Sequence, residues 1–168
     1  MSQDAPGRSP SEEAVPGALD KRDRRPQSVL FACSMNAVRS PMAEGLAKYL
    51  FGRESYFASA GVRQGDLDGF AVAAMDEIGI DMSRHKPHTF EDLEDSSFDL
   101  IITLSPEAHH RALEFTRTMA VDVIYWPTID PTAVQGTRET MLEAYRGVRE
   151  GLDTRIKILL DWHPMGRL

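Results

Sequence analysis

The sequence contains a single cysteine, Cys33, among 168 residues. One thiol cannot form an intramolecular disulfide, and it cannot supply a cysteine-rich zinc site. This scarcity agrees with a reducing compartment, so we expect a cytoplasmic location. Whatever Cys33 does, it does as a free thiol.

Long apolar runs are also missing. No segment approaches the roughly 20 apolar residues that a membrane-spanning helix needs, and the N-terminus lacks the apolar core of a signal peptide. Residues 1–26 contain four prolines and scattered charges without apolar periodicity, which is typical of disorder. The sequence therefore predicts a disordered tail over 1–26, one folded domain over 27–163 and a short C-terminal tail over 164–168.

An excess of positive charge is absent as well. The chain has 19 Lys and Arg against 26 Asp and Glu, a formal net charge of -7. The predicted tail holds five charges of each sign, so the negative charge belongs to the domain. An acidic domain does not neutralise a nucleic-acid backbone, and any anion must be recognised within one local pocket.

The histidines do not indicate a metal site. His85 and His88 are three residues apart and His109 and His110 are adjacent, but neither pair has a carboxylate at a spacing typical of metal ligands. The sequence therefore predicts no metal and no cofactor.

Strand and helix signals alternate along the rest of the chain, which predicts parallel strands joined by crossover helices. We expect an α/β fold, a flavodoxin-like three-layer sandwich with a four-stranded parallel sheet and helices on both faces. The predicted strands end at Cys33 and cover Tyr56–Ser59, Phe98–Leu104 and Val121–Trp126. The predicted helices cover Met42–Leu50 and about Gly69–Ile78, with later ones starting at Ser105-Pro106 and at Thr137.

The run that ends at Cys33 leads into a short polar loop and then a helix start, with Ser40 as the predicted N-cap and Pro41 at the first helical position. Backbone N–H groups of such a loop, together with the positive end of the next helix, can hold a tetrahedral oxyanion and stabilise a thiolate. Arg39 adds a planar fork that suits two oxygens of a phosphate. These residue types predict a nucleophilic thiol facing a bound oxyanion.

The pattern Cys33-x-x-Asn36-x-x-Arg39-Ser40-Pro41-Met42-Ala43-Glu44 resembles the phosphate loop of low-molecular-weight protein tyrosine phosphatases and the related arsenate reductases. The resemblance extends from about Ser28 to the late 150s. It implies that Cys33 is the nucleophile and Arg39 the phosphate ligand. It implies further that six residues of the loop and helix start bind the substrate: Ser34, Met35, Asn36, Ala37, Val38 and Ser40.

The resemblance also implies supporting roles. Ser40 would hydrogen-bond the thiol of Cys33, and Ser59 and His85 match family positions that support Asn36. A small amide such as Asn36 tolerates a left-handed backbone and can brace a loop. Without the resemblance, His85 would be an ordinary surface or satisfied buried histidine.

Asp130 precedes Pro131 in a loop after the fourth predicted strand. From the residues alone, an ordinary Asp-Pro turn and a general acid are about equally plausible. The resemblance assigns the general acid to Asp130, because the family's acid lies in an Asp-Pro pair between the fourth strand and the last helix.

The chain departs from the phosphatase pattern at three places. Met35 stands where glycine is usual, and Val38 where the phosphatases usually have a second cysteine, which leaves Cys33 open to overoxidation. Thr132 and Ala133 follow the Asp-Pro pair where aromatic residues are usual. An aromatic substrate wall would then have to come from another ring, and the candidates, each more often a core residue, are Trp126, Tyr56 and Phe90.

These observations favour a cysteine-dependent phosphatase acting on phosphate monoesters, phosphotyrosine proteins above all, with a phosphorylated protein or a small phosphomonoester as partner. The alternative is a single-cysteine arsenate reductase, since Thr103-Leu104-Ser105 resembles the Thr-Leu-Cys of thioredoxin-linked arsenate reductases. Ser105 cannot form a disulfide, so that enzyme would need an external thiol. A third possibility is a phosphate-binding module without turnover. Nucleic acid and membrane are not expected as partners, and the oligomeric state stays open.

Overall fold

The computed structural model describes residues 25–93 and 97–160, built on a parallel sheet of four strands. The strands are β1 (Ser28–Cys33), β2 (Tyr56–Gly61), β3 (Leu100–Thr103) and β4 (Asp122–Tyr125). The α-helices are α1 (Arg39–Phe51), α2 (Gly69–Asp76), α3 (Pro106–Phe115) and α4 (Arg138–Leu160), and short 3-10 helices cover Phe90–Asp92 and Pro131–Ala133. The predicted tails lie outside the described residues, apart from residues 25 and 26. No helix in the described part is long and apolar enough to cross a membrane.

The strand order is β2-β1-β3-β4, and every neighbouring pair is parallel. This topology confirms the predicted flavodoxin-like sandwich. In the register of the sheet, Cys33 pairs with Gly61, and Thr103 pairs with Ala32 and with Tyr125. The carboxyl ends of all four strands therefore meet at one edge, where ligands bind in sheets of this kind.

The central strand β1 contributes to both hydrophobic cores. Val29, Phe31 and Cys33 face the core formed with α1, α2 and α4, whereas Leu30 and Ala32 face the smaller core with α3. Alternate side chains of a strand point to opposite faces, so an apolar run without polar interruption is what a strand buried on both faces requires.

Helix α2 is shorter than the predicted Gly69–Ile78, because it ends at Asp76. Gly79 has φ +79° and turns the chain, as its residue type predicts. Ile78, predicted on the apolar face, is 39% exposed, and the buried face is instead formed by Ala71, Ala74 and Met75.

Charged groups join α2 to α4. Arg149, only 9% exposed, donates to the carbonyl of Ala74 at 2.7 Å and to Glu77 at 2.7 Å. Arg146 donates to the same carboxylate through Nε and Nη2. Hydrogen bonds from Arg146 and Arg149 lower the pKa of Glu77 to about 2. These bonds hold α4 against α2, and both helices contribute buried side chains to the larger core.

Candidate active site

The loop between β1 and α1 turns its carbonyl groups outward. The carbonyl oxygens of Cys33, Ser34, Met35 and Ala37 accept hydrogen bonds from the amides of Val62, Arg63, Gly65 and Asp68 at 3.2, 2.8, 2.9 and 3.3 Å. Within the residues that the structure describes, no acceptor pairs with the backbone amides of residues 34–40. The loop therefore offers a series of N–H donors beside the N-terminus of α1, the arrangement that binds an oxyanion.

Gly61 lets the following segment approach this loop closely. A Cβ atom at Gly61 would lie 2.8 Å from the amide nitrogen of Asn36 and 2.9 Å from the carbonyl carbon of Met35. Any side chain there would push the loop away from β2. The close contact explains why the strand ends on glycine.

Asn36 is the buried centre of the loop. Its backbone has φ 52°, the left-handed conformation that its small amide tolerates. Its Oδ1 accepts from the backbone amide of His88 at 3.1 Å and lies 2.9 Å from Nε2 of His85. Its Nδ2 donates to Ser40 Oγ and Ser59 Oγ, both at 2.9 Å. Ser59 and His85 thus lie beside Asn36, where the resemblance places them, and the structure adds a bond from Asn36 to Ser40.

The amide of His88 sets the direction of these hydrogen bonds. Because a backbone N–H can only donate, the side-chain atom of Asn36 that faces it is the oxygen, and the other is the nitrogen. Ser40 Oγ then accepts from Asn36 and lies 2.9 Å from Cys33 Sγ, a contact in which either atom can donate, and 3.5 Å from the carbonyl of Ala60. When the sulfur is ionised, the hydroxyl is the only one of the two groups that can donate.

Ser40 does not cap α1 as predicted. The helix begins at Arg39, its N-cap is Val38 with no side-chain hydrogen bond, and Ser40 lies inside the first turn with no exposed surface. Its hydroxyl is already engaged with Cys33 and Asn36, which explains why it is not the cap. The matching prediction at Ser105 is confirmed, since that hydroxyl accepts from the amide of Ala108 and Pro106 follows it.

His85 is half-buried beside Asn36. Burial lowers the pKa of His85, and the nearby carboxylate of Glu44 opposes that effect. The imidazole is therefore neutral at neutral pH. Its proton lies on Nε2, because this nitrogen faces the amide oxygen of Asn36. His85 thus donates to Asn36 without placing a positive charge under the loop.

Arg39 is tied to the segment that follows β4. It is half-buried at the start of α1, and Nη1 donates to the carbonyl of Thr128 at 3.1 Å. The loop after β1 and the segment that carries Asp130 are therefore held side by side.

Asp130 is exposed and lies two residues beyond this contact. Its Oδ1 accepts from the amide of Thr132 at 3.0 Å and from the Thr132 hydroxyl at 2.7 Å, so it caps the short helix Pro131–Ala133. The Asp-Pro turn that the residues alone allow is present. No hydrogen bond within the described residues joins Asp130 to the loop over 34–38, and its Oδ2 has none of these turn contacts.

Several contacts around the site were not predicted from the sequence. Ser34 Oγ donates to Ser105 Oγ at 3.0 Å, which links the loop to the start of α3. Asp68 caps α2, and its Oδ2 accepts from the buried hydroxyl of Tyr145 at 2.8 Å. Burial and this bond to Asp68 raise the pKa of Tyr145. These partners are 71 and 77 residues apart in sequence, so no local pattern could reveal them.

The three aromatic candidates for a substrate wall are placed differently. Phe90 is 5% exposed and stacks on Phe115 in the smaller core, and Tyr56 stacks on Phe98 at the amino end of β2. Tyr56 therefore lies at the edge opposite the oxyanion loop, whereas Phe90 follows Thr89, which pairs with Gly61 at the carboxyl end of β2, but its ring is buried. Trp126 directly follows β4 at that edge, but it is half-buried and packs on Phe31 with Arg155 over its ring.

No group of three or more metal-ligating side chains occurs among residues 25–93 and 97–160. The rings of His85 and His88 lie 6.0 Å apart at their centroids, and one nitrogen of each is hydrogen-bonded: Nε2 of His85 to Asn36 and Nδ1 of His88 to the carbonyl of Lys86.

The comparisons with known proteins agree with this geometry. The chain is 35% identical over 134 residues to a protein named arsenate reductase from Halalkalibacterium halodurans, covering 79% of this chain and 94% of that one. A solved structure titled an arsenate reductase in the phosphate binding state superposes with a TM-score of 0.64 at 28% identity, covering 80% and 97%. A low molecular weight protein tyrosine phosphatase from T. tengcongensis gives a TM-score of 0.66 at 26% identity, covering 80% and 98%.

A family model extends the match over nearly the whole described part of the chain. The model for low molecular weight phosphotyrosine protein phosphatase matches residues 28–162. The match begins with β1 and includes both the loop after Cys33 and the Asp130 segment. The chain therefore belongs to the low molecular weight phosphotyrosine protein phosphatase family.

Proposed function

We propose that the chain is a cysteine-dependent phosphatase that hydrolyses phosphate monoesters through a phosphocysteine intermediate. The observation that carries this proposal is the arrangement around the thiol: Cys33 Sγ lies 2.9 Å from the hydroxyl of Ser40, which can donate to a thiolate, and the backbone amides of residues 34–40 remain available to an oxyanion. Donors fixed in this way favour both a thiolate and the charge that develops on the phosphoryl oxygens. Cys33 is the only thiol in the chain.

In the first step, the Cys33 thiolate attacks phosphorus and forms an S–P bond while the ester P–O bond breaks. Loop amides and the guanidinium of Arg39 hold the three non-bridging oxygens. Asp130 gives its proton to the departing oxygen. In the second step, Asp130 takes a proton from water, water attacks phosphorus, and the S–P bond breaks to release phosphate and the thiolate.

The position of Asp130 supports this assignment. The contact between Arg39 and Thr128 keeps the Asp130 segment beside the oxyanion loop. The turn uses Oδ1 of Asp130, so Oδ2 is the oxygen that we assign to proton transfer. The exposed position suits a group that exchanges protons with both water and substrate.

Arsenate reduction is the second candidate, and the names of the related proteins favour it. Arsenate has the geometry of phosphate, and attack by Cys33 would form an S–As bond with loss of water. An external thiol would then attack the Cys33 sulfur, so that arsenic leaves as arsenite and a mixed disulfide remains; a second thiol would reduce that disulfide. Ser105 lies beside the loop but contributes a hydroxyl, so both thiols must come from outside the chain.

A paired assay separates these functions. The purified protein is given p-nitrophenyl phosphate in one reaction and arsenate with glutathione, mycothiol or thioredoxin in another, with the Cys33→Ser variant as control in each. Phosphate release that depends on Cys33 supports the phosphatase. Faster thiol-dependent arsenite formation supports the reductase, and inactivity in both with retained phosphate binding supports a non-catalytic binding module.

We also propose that the reaction takes place in the cytoplasm, because a single free and buried thiol suits a reducing compartment.

A further inference from the structure

An ion pair between Arg63 and Glu107 joins two segments that both contact Ser34, the residue after Cys33 in the oxyanion loop. Arg63 follows β2, and its amide donates to the carbonyl of Ser34 at 2.8 Å. Glu107 lies in the first turn of α3, two residues after Ser105, whose hydroxyl accepts from Ser34 at 3.0 Å. The side chains of Arg63 and Glu107 form a salt bridge. Both partners are thus anchored to Ser34 through their own segments, and the pair lies at the rim of the site.

This pair is open to exchange. The Arg63 side chain is 59% exposed and that of Glu107 is 38% exposed, and exposed ion pairs of this kind contribute little to stability. Glu107 also lies at the N-terminus of α3, where the helix dipole favours a negative charge without Arg63. The guanidinium can therefore leave Glu107 for another anion at small cost.

The charge of the whole chain makes such a cation important at this place. The chain carries a formal net charge of -7, so an anionic substrate approaches against an unfavourable field. Arg39 donates to the carbonyl of Thr128, and the proposed mechanism uses it to hold the phosphate itself. Arg63 is a second cation, and its backbone amide binds the carbonyl of Ser34 in the oxyanion loop, which puts Arg63 at the rim of the site.

We propose that Arg63 is a specificity-determining residue that binds a second negative charge on the substrate, the carboxylate of an acidic residue beside the phosphorylated one. The inference rests on the proposed phosphatase function and names its substrate class. Glu107 holds Arg63 in place in the free enzyme and is displaced by the substrate carboxylate. Esters without a second charge do not gain this contact.

The test uses two phosphotyrosine peptides of equal length. One has Glu on both sides of the phosphotyrosine, and the other has Gln at the same two positions. Binding is measured with the Cys33→Ser protein, so the result does not depend on turnover. We expect the Glu peptide to bind about three to ten times more tightly at low salt, with the preference shrinking as ionic strength rises. Adding Arg63→Gln should bring the ratio close to one, and adding Glu107→Gln should increase it.

Arg53→Gln is the matched control, because it removes an exposed positive charge between α1 and β2, at the opposite end of the sheet. It should leave the ratio unchanged. The proposal would be overturned if the two peptides bound equally or if neither bound. It would also be overturned if Arg53→Gln reduced the preference for the Glu peptide as much as Arg63→Gln. Hydrolysis of both peptides by the unmodified enzyme at equal kcat/KM would overturn it while leaving the phosphatase function intact, whereas absence of any hydrolysis with a retained binding preference would count against the phosphatase function alone.

Discussion

Ser40 Oγ lies 2.9 Å from Cys33 Sγ, although the two residues belong to different elements, the first turn of α1 and the end of β1. Asn36 donates to the same hydroxyl oxygen at 2.9 Å, so the proton of Ser40 is free to point to the sulfur when Cys33 is ionised. A hydrogen bond to a charged partner contributes about 1.5–3 kcal/mol. This single contact is therefore large enough to change the reactivity of the thiol by more than tenfold.

Ser40→Ala tests that contact. We expect iodoacetamide to alkylate Cys33 about 10 to 100 times more slowly at neutral pH, with a similar fall in kcat for p-nitrophenyl phosphate, because the thiolate loses its hydroxyl donor. Ser59→Ala is the matched control, since Ser59 Oγ also lies 2.9 Å from Asn36 Nδ2 and has no hydrogen bond to the sulfur. An equal loss in both variants would show that the direct bond from Ser40 is unimportant.

Asn36→Ala and Asn36→Gly separate two contributions of one residue. Both remove a buried side-chain amide that is hydrogen-bonded to Ser40, Ser59, His85 and the backbone amide of His88. Each variant should therefore lower the free energy of unfolding by about 2–4 kcal/mol. Alanine should cost about 1 kcal/mol more than glycine, because φ is 52° at this position. Urea denaturation monitored by circular dichroism measures both values. An alanine variant as stable as the glycine variant would contradict the role of the backbone conformation.

Asp130→Asn removes the proton donor that we propose and keeps the turn, because an amide oxygen can still accept from Thr132. We expect kcat/KM, which reports the step that expels the leaving group, to fall about 10²- to 10⁴-fold for alkyl phosphates and much less for p-nitrophenyl phosphate, whose leaving group needs little protonation. Thr132→Ala, which loosens the turn alone, should change kcat only slightly for either ester. A uniform small loss across leaving groups in Asp130→Asn would assign the proton to another residue.

Glu77→Gln tests the charged link between α2 and α4. The folded-state pKa of Glu77 is about 2, below its ordinary value of 4.5, so its ionised form stabilises the fold above about pH 4.5, and that contribution is lost as the pH falls toward 2. The variant should therefore have a lower urea midpoint than the unmodified chain at pH 7, and the two midpoints should converge between pH 4.5 and pH 2. A gap that stays constant over this range would mean that the Arg146 and Arg149 bonds to Glu77 do not depend on its charge.

The local parts of this structure could be predicted from sequence, because they depend on local chemistry. The uninterrupted apolar run before Cys33 requires a strand buried on both faces, and Ser105-Pro106 starts a helix with a serine cap in the way that its residue types favour. The left-handed backbone of Asn36 follows from the tolerance of its small amide. The order of the strands then brings these segments to one edge.

The same local rules gave the wrong result at Ser40 and Ile78. A serine before a proline has the pattern of a helix cap, but here the hydroxyl is needed by partners on β1 and in the loop, so the helix starts earlier and Val38 stands at the cap. Ile78 continues an apolar spacing, but the positive φ of Gly79 turns the chain before that face is complete. The bonds of Ser34 to Ser105 and of Asp68 to Tyr145 depend on tertiary placement alone, which explains why sequence patterns did not reveal them.

The position of Cys33 at the end of the central strand has a consequence for how the protein opens. Residues of β1 are packed into both cores, so the strand cannot detach unless the packing on both faces of the sheet is lost. Segments of this kind exchange their amide hydrogens only through global unfolding, whereas loops on the surface open locally. The sulfur of Cys33 therefore belongs to the slowest-opening unit of the molecule, and its geometry persists for as long as the chain is folded at all.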